Sequence, residues 1–292
     1  MFDWNDLRYF LAVQRSGTLA AAAAGLTINA TTVGRRLAAL EEQVGARLYD
    51  RTPEGWLLTQ AGRDLLPYAE RMEREVLAVE RRVAGADDRA SGVVRLATTE
   101  TLATRFLAPY LPRFHDLHPA LTLEVTCAVR RVELGRREAD IVLRLTRPRE
   151  PDVVVRKLVQ IDLALYASRA YVAKHGRPAR PDESLDGHRL IRFADTPPFA
   201  LENAWFEPRL VGSLTVLRSD SVNSIYSAAL AGAGIALLPR RIADTEPQLV
   251  HLGNQTAPEP RTVWQGVHKD LARSARIRAV SEFISEVVAR AL

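Results

Sequence analysis

The segment of residues 18–51, TLAAAAAGLTINATTVGRRLAALEEQVGARLYDR, constrains this chain more than any other. It reads as two helices joined by a tight turn. Leu19, Ala22, Ala23 and Leu26 recur at helical spacing, and the alanine run suits close helix–helix approach. Thr27-Ile28-Asn29 breaks the pattern; Asn29 is placed to cap the next helix and Gly45 to end it after Val44. That second helix carries a core stripe of Val33, Leu37, Leu40 and Val44. At about 100° per residue, its opposite face holds Thr31, Arg35, Ala38 and Glu42, with Thr32, Gly34 and Ala39 alongside. The first two turns are thus small or rich in donors, as an element entering a DNA major groove must be.

Arg35 suits a guanine edge or a phosphate, and Thr31 and Thr32 suit a phosphate or a thymine methyl. Arg36 lies nearer the core edge, where phosphate is the better target. Gly34 costs the helix roughly 1 kcal/mol against alanine and leaves room for DNA to approach the backbone. Upstream, Trp4, Leu7, Phe10 and Leu11 mark another helix, with Asp3 as its cap. Downstream, YDRTPEGWLL at residues 49–58 reads as a hairpin turning at Glu54-Gly55, with Arg51 toward the phosphates. Thr59 then caps a long helix over about residues 60–86. Its stripe of Leu65, Tyr68, Met72, Val76, Val79 and Val83 needs a covering surface, most simply a second copy of the chain. The competing reading of the whole segment is a helical hairpin buried in an ordinary core.

Charge does not settle the matter. The 292 residues carry a net charge of +5, yet residues 1–63 hold seven Arg against three Asp and three Glu, a net of +1. The placement of a few arginines therefore carries the nucleic-acid argument. No run of about 18 apolar residues exists to span a membrane, and MFDWNDLRYF lacks the pattern of a secretory signal. Cys127 is the single cysteine, so no intrachain disulfide can form. Together these features lead us to expect a cytoplasmic protein with no membrane partner.

After the small, polar residues 84–92 the period changes. Strands are predicted at residues 93–97, 121–125 and 141–145, with helices at 102–117 and around 133–137. A second unit follows, with strands at 162–167, 189–193, 210–217, 235–238 and 262–267 and helices at 170–175 and 221–231. An amphipathic helix over 274–291 closes the chain on Ile277, Val280, Ile284 and Val287. This alternation argues for α/β sheets.

Ligands in such sheets favour the carboxyl ends of strands, where helix N-termini offer free N–H groups. Two clusters sit there: Thr98-Thr99-Glu100-Thr101, and Ser219-Asp220-Ser221-Val222-Asn223. With Arg144 they form a candidate grip for a small carboxylate. The alternative is that the hydroxyls only cap helices and that Arg144 is a salt-bridged strand residue. Glu100 already satisfies a helix dipole and repels an anion, which keeps a neutral or cationic effector open. Cys127 lies at the edge of the same cleft, either as an inert thiol or as a redox sensor. The histidines at 115, 118, 175, 188, 251 and 268 lack metal-ligand spacing, and neither metal nor cofactor is expected.

The stretches LRYFLAVQRSGTLAAAA, LTINATTVGRRLAALEEQVGARLYDR and LLTQAG follow in an order that resembles the LysR-type transcriptional regulators. The resemblance implies an α plus α/β fold: a winged helix-turn-helix at 1–58, a linker and dimerisation helix at 59–89, and a two-lobed α/β effector domain of periplasmic-binding-protein type at 90–292. Lobe I would take about 92–160 plus 267–292 and lobe II about 161–266, with crossings near 159–162 and 264–268. The resemblance also implies homodimers or tetramers on double-stranded DNA, a small-molecule effector, and contact with RNA polymerase. Arg35 and Arg51 match family contact positions. Ala30 and Gly34 depart, since the family commonly has Gln and Ser there, leaving fewer base-reading groups. Thr18, Asn29, Ala30, Thr31, Thr32, Gly34, Arg35, Arg36 and Arg51 form the expected DNA-facing set. Thr98, Thr99, Glu100, Thr101, Cys127, Arg144, Ser221 and Asn223 form the expected effector set. The rival readings are an effector-independent DNA binder, a solute-binding protein and an enzyme. Against an enzyme, there is no nucleophile elbow or phosphate-cradling loop, and Gly232-x-Gly234 precedes a strand rather than opening a helix.

Overall fold

The computed structural model describes residues 3–53, 55–85, 90–127, 139–253 and 256–291. The chain divides into two units, residues 1–83 and 84–292.

In the first unit, α1 (Trp4–Ser16), α2 (Leu19–Leu26) and α3 (Ala30–Val44) enclose a core of Leu7, Phe10, Leu11, Val33, Leu37 and Leu40. Each helix begins on a side-chain cap. Asp3 accepts from the Asn5 N–H at 3.0 Å, Thr18 from Ala21 at 3.1 Å, and Asn29 from Thr31 at 3.0 Å. The chain reverses between α2 and α3 at Thr27, which takes a left-handed φ of 56°. Val44 does not join the stripe it was expected to complete. It is 39 % exposed, and fully buried Leu48 joins the same core as Leu40.

Strands β1 (Tyr49–Thr52) and β2 (Gly55–Leu58) pair antiparallel, with Arg51 opposite Trp56 and Thr52 opposite Gly55. Gly55 thus opens β2 instead of turning the hairpin, and Glu54, the other residue of the expected turn, lies outside the described residues. Gly55 has φ 126°, and a Cβ there would lie 2.7 Å from the Gly17 oxygen. The neighbouring Trp56 N–H donates to that same oxygen at 3.0 Å, which pins the hairpin to the α1–α2 turn. Helix α4 (Gln60–Gly85) starts on Thr59, whose hydroxyl accepts from the Gly62 N–H at 3.1 Å. A Cβ on Gly62 would overlap the Leu48 carbonyl, so only glycine lets α4 set off this close to the core. Arg15 and Glu73 tie α1 to α4 through two hydrogen bonds of 3.0 and 2.5 Å. Ala69 is buried, whereas Tyr68, Met72, Val76 and Val79 are exposed, from 37 % at Val76 to 62 % at Tyr68.

The second unit runs β3 (Gly92–Thr98), α5 (Leu111–Leu117), β4 (Leu121–Cys127), β5 (Ile141–Arg144), β6 (Val153–Ile161), β7 (Leu163–Ser168) and α6 (Arg169–His175). It continues through β8 (Arg189–Phe193), α7 (Ala200–Phe206), β9 (Leu214–Ser219), α8 (Val222–Leu230), β10 (Ile235–Pro239) and α9 (Arg240–Ala243). It ends with β11 (Leu249–His251), β12 (Arg261–His268) and α10 (Ala275–Ala291). Two five-stranded sheets result, ordered β4-β3-β5-β12-β6 and β11-β7-β10-β8-β9. In the first, β3 is parallel to β4 and β5; in the second, β8 is parallel to β9 and β10. The α10 residues Ile277, Val280, Ile284 and Val287 are buried, as their spacing predicted.

Three expectations need correction. All of β12 pairs with β5 and β6, so the chain returns to the first lobe between His251 and Arg261, not at 264–268. The other crossing falls at Asp162, between β6 and β7, within the expected 159–162. The helix expected at 102–117 opens as a π-helical segment (Leu102–Leu107) and a 3-10 turn (Ala108–Tyr110) before α5. Pro109 and Pro112, which have no N–H to donate, lie at these junctions. The strand expected at 210–217 starts only at Leu214, because Gly212 turns the chain at φ 73° beneath the Asp186 carboxylate. Strand β6 and helix α7 were not foreseen at all, and the helix expected at 133–137 lies outside the described residues.

Candidate nucleic-acid interface and interlobe cleft

Helix α3 has two unlike faces. Val33, Leu37 and Leu40 are at most 1 % exposed, whereas Thr31 and Arg35 are exposed on the other side. Thr32 is half-buried beside them. Arg35 is therefore free to meet a duplex, which a helix buried on all sides would forbid.

The other expected DNA-facing residues are placed differently. Thr18 and Asn29 spend their side-chain oxygens on the caps of α2 and α3. Arg36 turns toward α1, where its guanidinium lies 3.4 Å from the buried Asp6 carboxylate. Ala30 is half-buried against its own core. A Cβ on Gly34 would sit 3.3 Å from Leu19 Cδ1, so the glycine's missing side chain accommodates α2. That accounts for Gly34 by helix packing, not by approach to DNA. Arg51 is exposed on β1, with its guanidinium 4.5 Å from the Trp56 ring centre.

In the second unit, Thr98, Cys127 and Arg144 are the last residues of the adjacent strands β3, β4 and β5, which run parallel. They share one sheet edge, with Thr98 directly opposite Cys127. Thr98 is buried, and its hydroxyl has no hydrogen-bond partner among the described residues. Cys127 is exposed, unlike an inert core thiol. Arg144 lies 3.2 Å from Glu150, so the salt-bridged alternative holds for one of its interactions. Thr99 receives the Leu102 N–H at 3.4 Å, and Thr101 makes no side-chain cap.

The two clusters singled out in the sequence do meet. The Ser221 hydroxyl donates to Glu100 Oε2 at 3.3 Å, and Asn223 Nδ2 donates to Thr104 Oγ1 at 3.3 Å. Ser221 also caps α8 by accepting from Ser224 N–H at 3.3 Å, so capping and bridging coexist in one residue. Beside them, the Arg105 guanidinium lies 4.3 Å from the Tyr226 ring centre. Burial raises the Tyr226 phenol above its usual range; Glu246, which accepts its proton at 3.2 Å, adds to this, and Arg105 opposes it.

Sequence reading missed Arg105, Thr104 and Tyr226, and also a second link between the lobes. Glu202 of α7 is 3 % exposed and accepts from Arg261 Nε at 2.7 Å, with a second short bond to Arg261 Nη2. Arg261 is the first residue of β12, so this pair joins the lobes at the crossing. No local pattern betrays it, because its halves are 59 residues apart. Cavities of about 260 and 420 Å³ flank the other crossing, and Asp162 and Arg240 line both.

A winged helix-turn-helix joined to a two-lobed α/β binding unit defines a ligand-responsive transcriptional regulator. Residues 4–63 match the bacterial regulatory helix-turn-helix protein family, lysR type, and residues 87–289 match the LysR substrate binding domain. The chain belongs to the LysR family of DNA-binding transcriptional regulators. It is 28 % identical over 290 residues to the HTH-type transcriptional regulator CrgA of Neisseria meningitidis serogroup C, spanning 97 % of this chain and 96 % of that one. It is 33 % identical over 189 residues to an HTH-type transcriptional regulator of Xanthomonas campestris, covering 65 % of this chain and 55 % of that relative. The solved structure of CrgA from Neisseria meningitidis superimposes with a TM-score of 0.60 at 26 % identity, over 99 % of each chain.

Proposed function

We propose that the exposed face of α3 reads operator DNA, with Arg35 and Thr31 addressing base edges. Arg51, Arg36 and Thr32, with the capped helix ends at Thr18 and Asn29, meet the phosphate backbone, while the small Ala30 at the start of α3 permits the close fit. The observation that carries this reading is the exposure of Thr31 and Arg35 directly opposite the buried Val33, Leu37 and Leu40.

The exposed stripe of Tyr68, Met72, Val76 and Val79 on α4 supports a homodimer, alone or as a dimer of dimers, because it is an apolar surface on an otherwise charged helix. A small molecule enters between the lobes and is held by Thr98, Thr99, Glu100, Thr101, Cys127 and Arg144 from the first lobe and Ser221 and Asn223 from the second; the Ser221–Glu100 and Asn223–Thr104 hydrogen bonds support this reading. It acts by favouring one lobe arrangement over another. RNA polymerase is the proposed downstream partner and the cytoplasm the proposed location. Among the described residues no helix is long and apolar enough to cross a membrane. A regulator without catalysis is the reading its relatives support, since those compared above are named regulators.

The test is Arg35→Ala in the full chain. Specific binding to a duplex selected by the wild-type chain from a random pool is expected to vanish while the oligomer persists in sedimentation. Retained specific affinity would refute the assignment of α3.

A further inference from the structure

We infer that Trp56 is a positioning residue for DNA binding: its indole holds the Arg51 guanidinium in the orientation that meets a backbone phosphate. The inference rests on the proposal that the hairpin meets the DNA backbone, and it adds a residue that neither the sequence reading nor the family match assigns.

Three observations carry it. Arg51 and Trp56 face each other directly across the β1–β2 ladder, and the guanidinium carbon lies 4.5 Å from the ring centre. A guanidinium on an aromatic face uses its flat side, so its in-plane N–H donors stay free for a phosphate; a carboxylate partner would consume them. No ion pair engages Arg51 among the described residues, and its side chain is exposed. The ring is itself anchored. Its backbone N–H donates to Gly17 at 3.0 Å, and its edge meets Tyr49, with ring centres 6.0 Å apart at 69°. Tyr49 packs on Phe10 at 5.3 Å and donates its hydroxyl to the Phe10 carbonyl at 2.8 Å. The row Arg51, Trp56, Tyr49, Phe10 thus fixes a surface cation to the helical core. An exposed arginine without such a support must be immobilised when DNA binds, with a loss of rotamer freedom.

The experiment measures affinity and its salt dependence for the full-length chain on a duplex selected from a random pool by the wild type. Arg51→Ala should lower the salt slope by about one. Trp56→Leu should weaken binding about three- to ten-fold, while Trp56→Phe stays within about two-fold of wild type. Arg51→Lys keeps the charge but loses the planar face, and should lose about as much as Trp56→Leu. That variant leaves the hairpin's aromatic residues in place, so it reports even if Trp56→Leu fails to fold. The double variant Arg51→Ala/Trp56→Leu should bind no worse than Arg51→Ala alone. Wild-type affinity for folded Trp56→Leu or for Arg51→Lys, or full additivity in the double variant, overturns the inference. An unchanged affinity and slope for Arg51→Ala would instead overturn the underlying phosphate contact.

Discussion

The carboxylate of Asp6 in α1 is buried and lies 3.4 Å from the guanidinium of Arg36 in α3, whose side chain is 42 % exposed. The recognition helix is therefore held to α1 by a charged contact as well as by its apolar stripe. A carboxylate removed from water and stripped of its counter-ion loses more than the pair itself contributes. We expect Arg36→Ala to destabilise the first unit by about 1–3 kcal/mol. Asp6→Asn in the same background should recover part of that loss. Amide hydrogen exchange in α1 and α3 checks both outcomes; no change with Arg36→Ala would show that Asp6 is adequately solvated without it.

Thr27 is a β-branched residue held at φ 56°, a conformation glycine adopts without penalty. Thr27→Gly is expected to leave the helix-turn-helix geometry intact and to stabilise the first unit by about 0.5–1 kcal/mol. A urea titration followed by exchange at the α2 and α3 amides measures it. Destabilisation would mean that the threonine side chain contributes more than its backbone strain costs.

The Arg261–Glu202 pair joins β12 to α7 with both side chains largely buried. Arg261→Ala strands the carboxylate and is expected to cost about 3–5 kcal/mol, whereas replacing both residues by apolar side chains of similar volume should cost much less. Thermal unfolding of the second unit is the measurement. Equal losses for the single and double replacements would show that shape, not charge, governs the site.

His188 is buried beside Tyr171, whose hydroxyl lies 3.3 Å from the His188 Nδ1 and receives the Arg189 N–H at 2.9 Å. Burial, with help from nearby His175, lowers the His188 pKa below its ordinary 6.5, and Asp186 opposes the shift. The unfolded chain then binds a proton more readily than the folded one. Stability from this residue is level at neutral pH and falls as pH drops below about 6.5 toward the lowered folded value. His188→Gln should flatten that part of the profile, read as the difference in Tm between pH 7.5 and 5.5. An unaltered slope would assign the acid sensitivity to other groups.

Local signals made much of this protein legible. The caps Asp3 and Asn29, the stop at Gly45, and the stripe Val33-Leu37-Leu40 all act within a few residues, so a sequence displays them directly. The same holds for helix α10, whose buried residues Ile277, Val280, Ile284 and Val287 follow the helical period. Where a partner comes from a distant segment, the pattern is silent. Strand β6 carries Arg156 and Lys157 at a sheet edge, which dilutes its apolar signal, and α7 follows two prolines that read as loop.

The sequence by itself determined that a helix with one apolar and one polar, cationic face follows a capped turn, and that two α/β units come after it. These facts depend on periodicity and on residues adjacent in the chain. Only the tertiary structure decided that Arg36 is engaged by Asp6, that Gly34 makes room for Leu19, that Trp56 supports Arg51, and that Glu100 meets Ser221. Each of these depends on how separate elements pack, and packing sets which side chains share a volume in a way that no local spacing encodes.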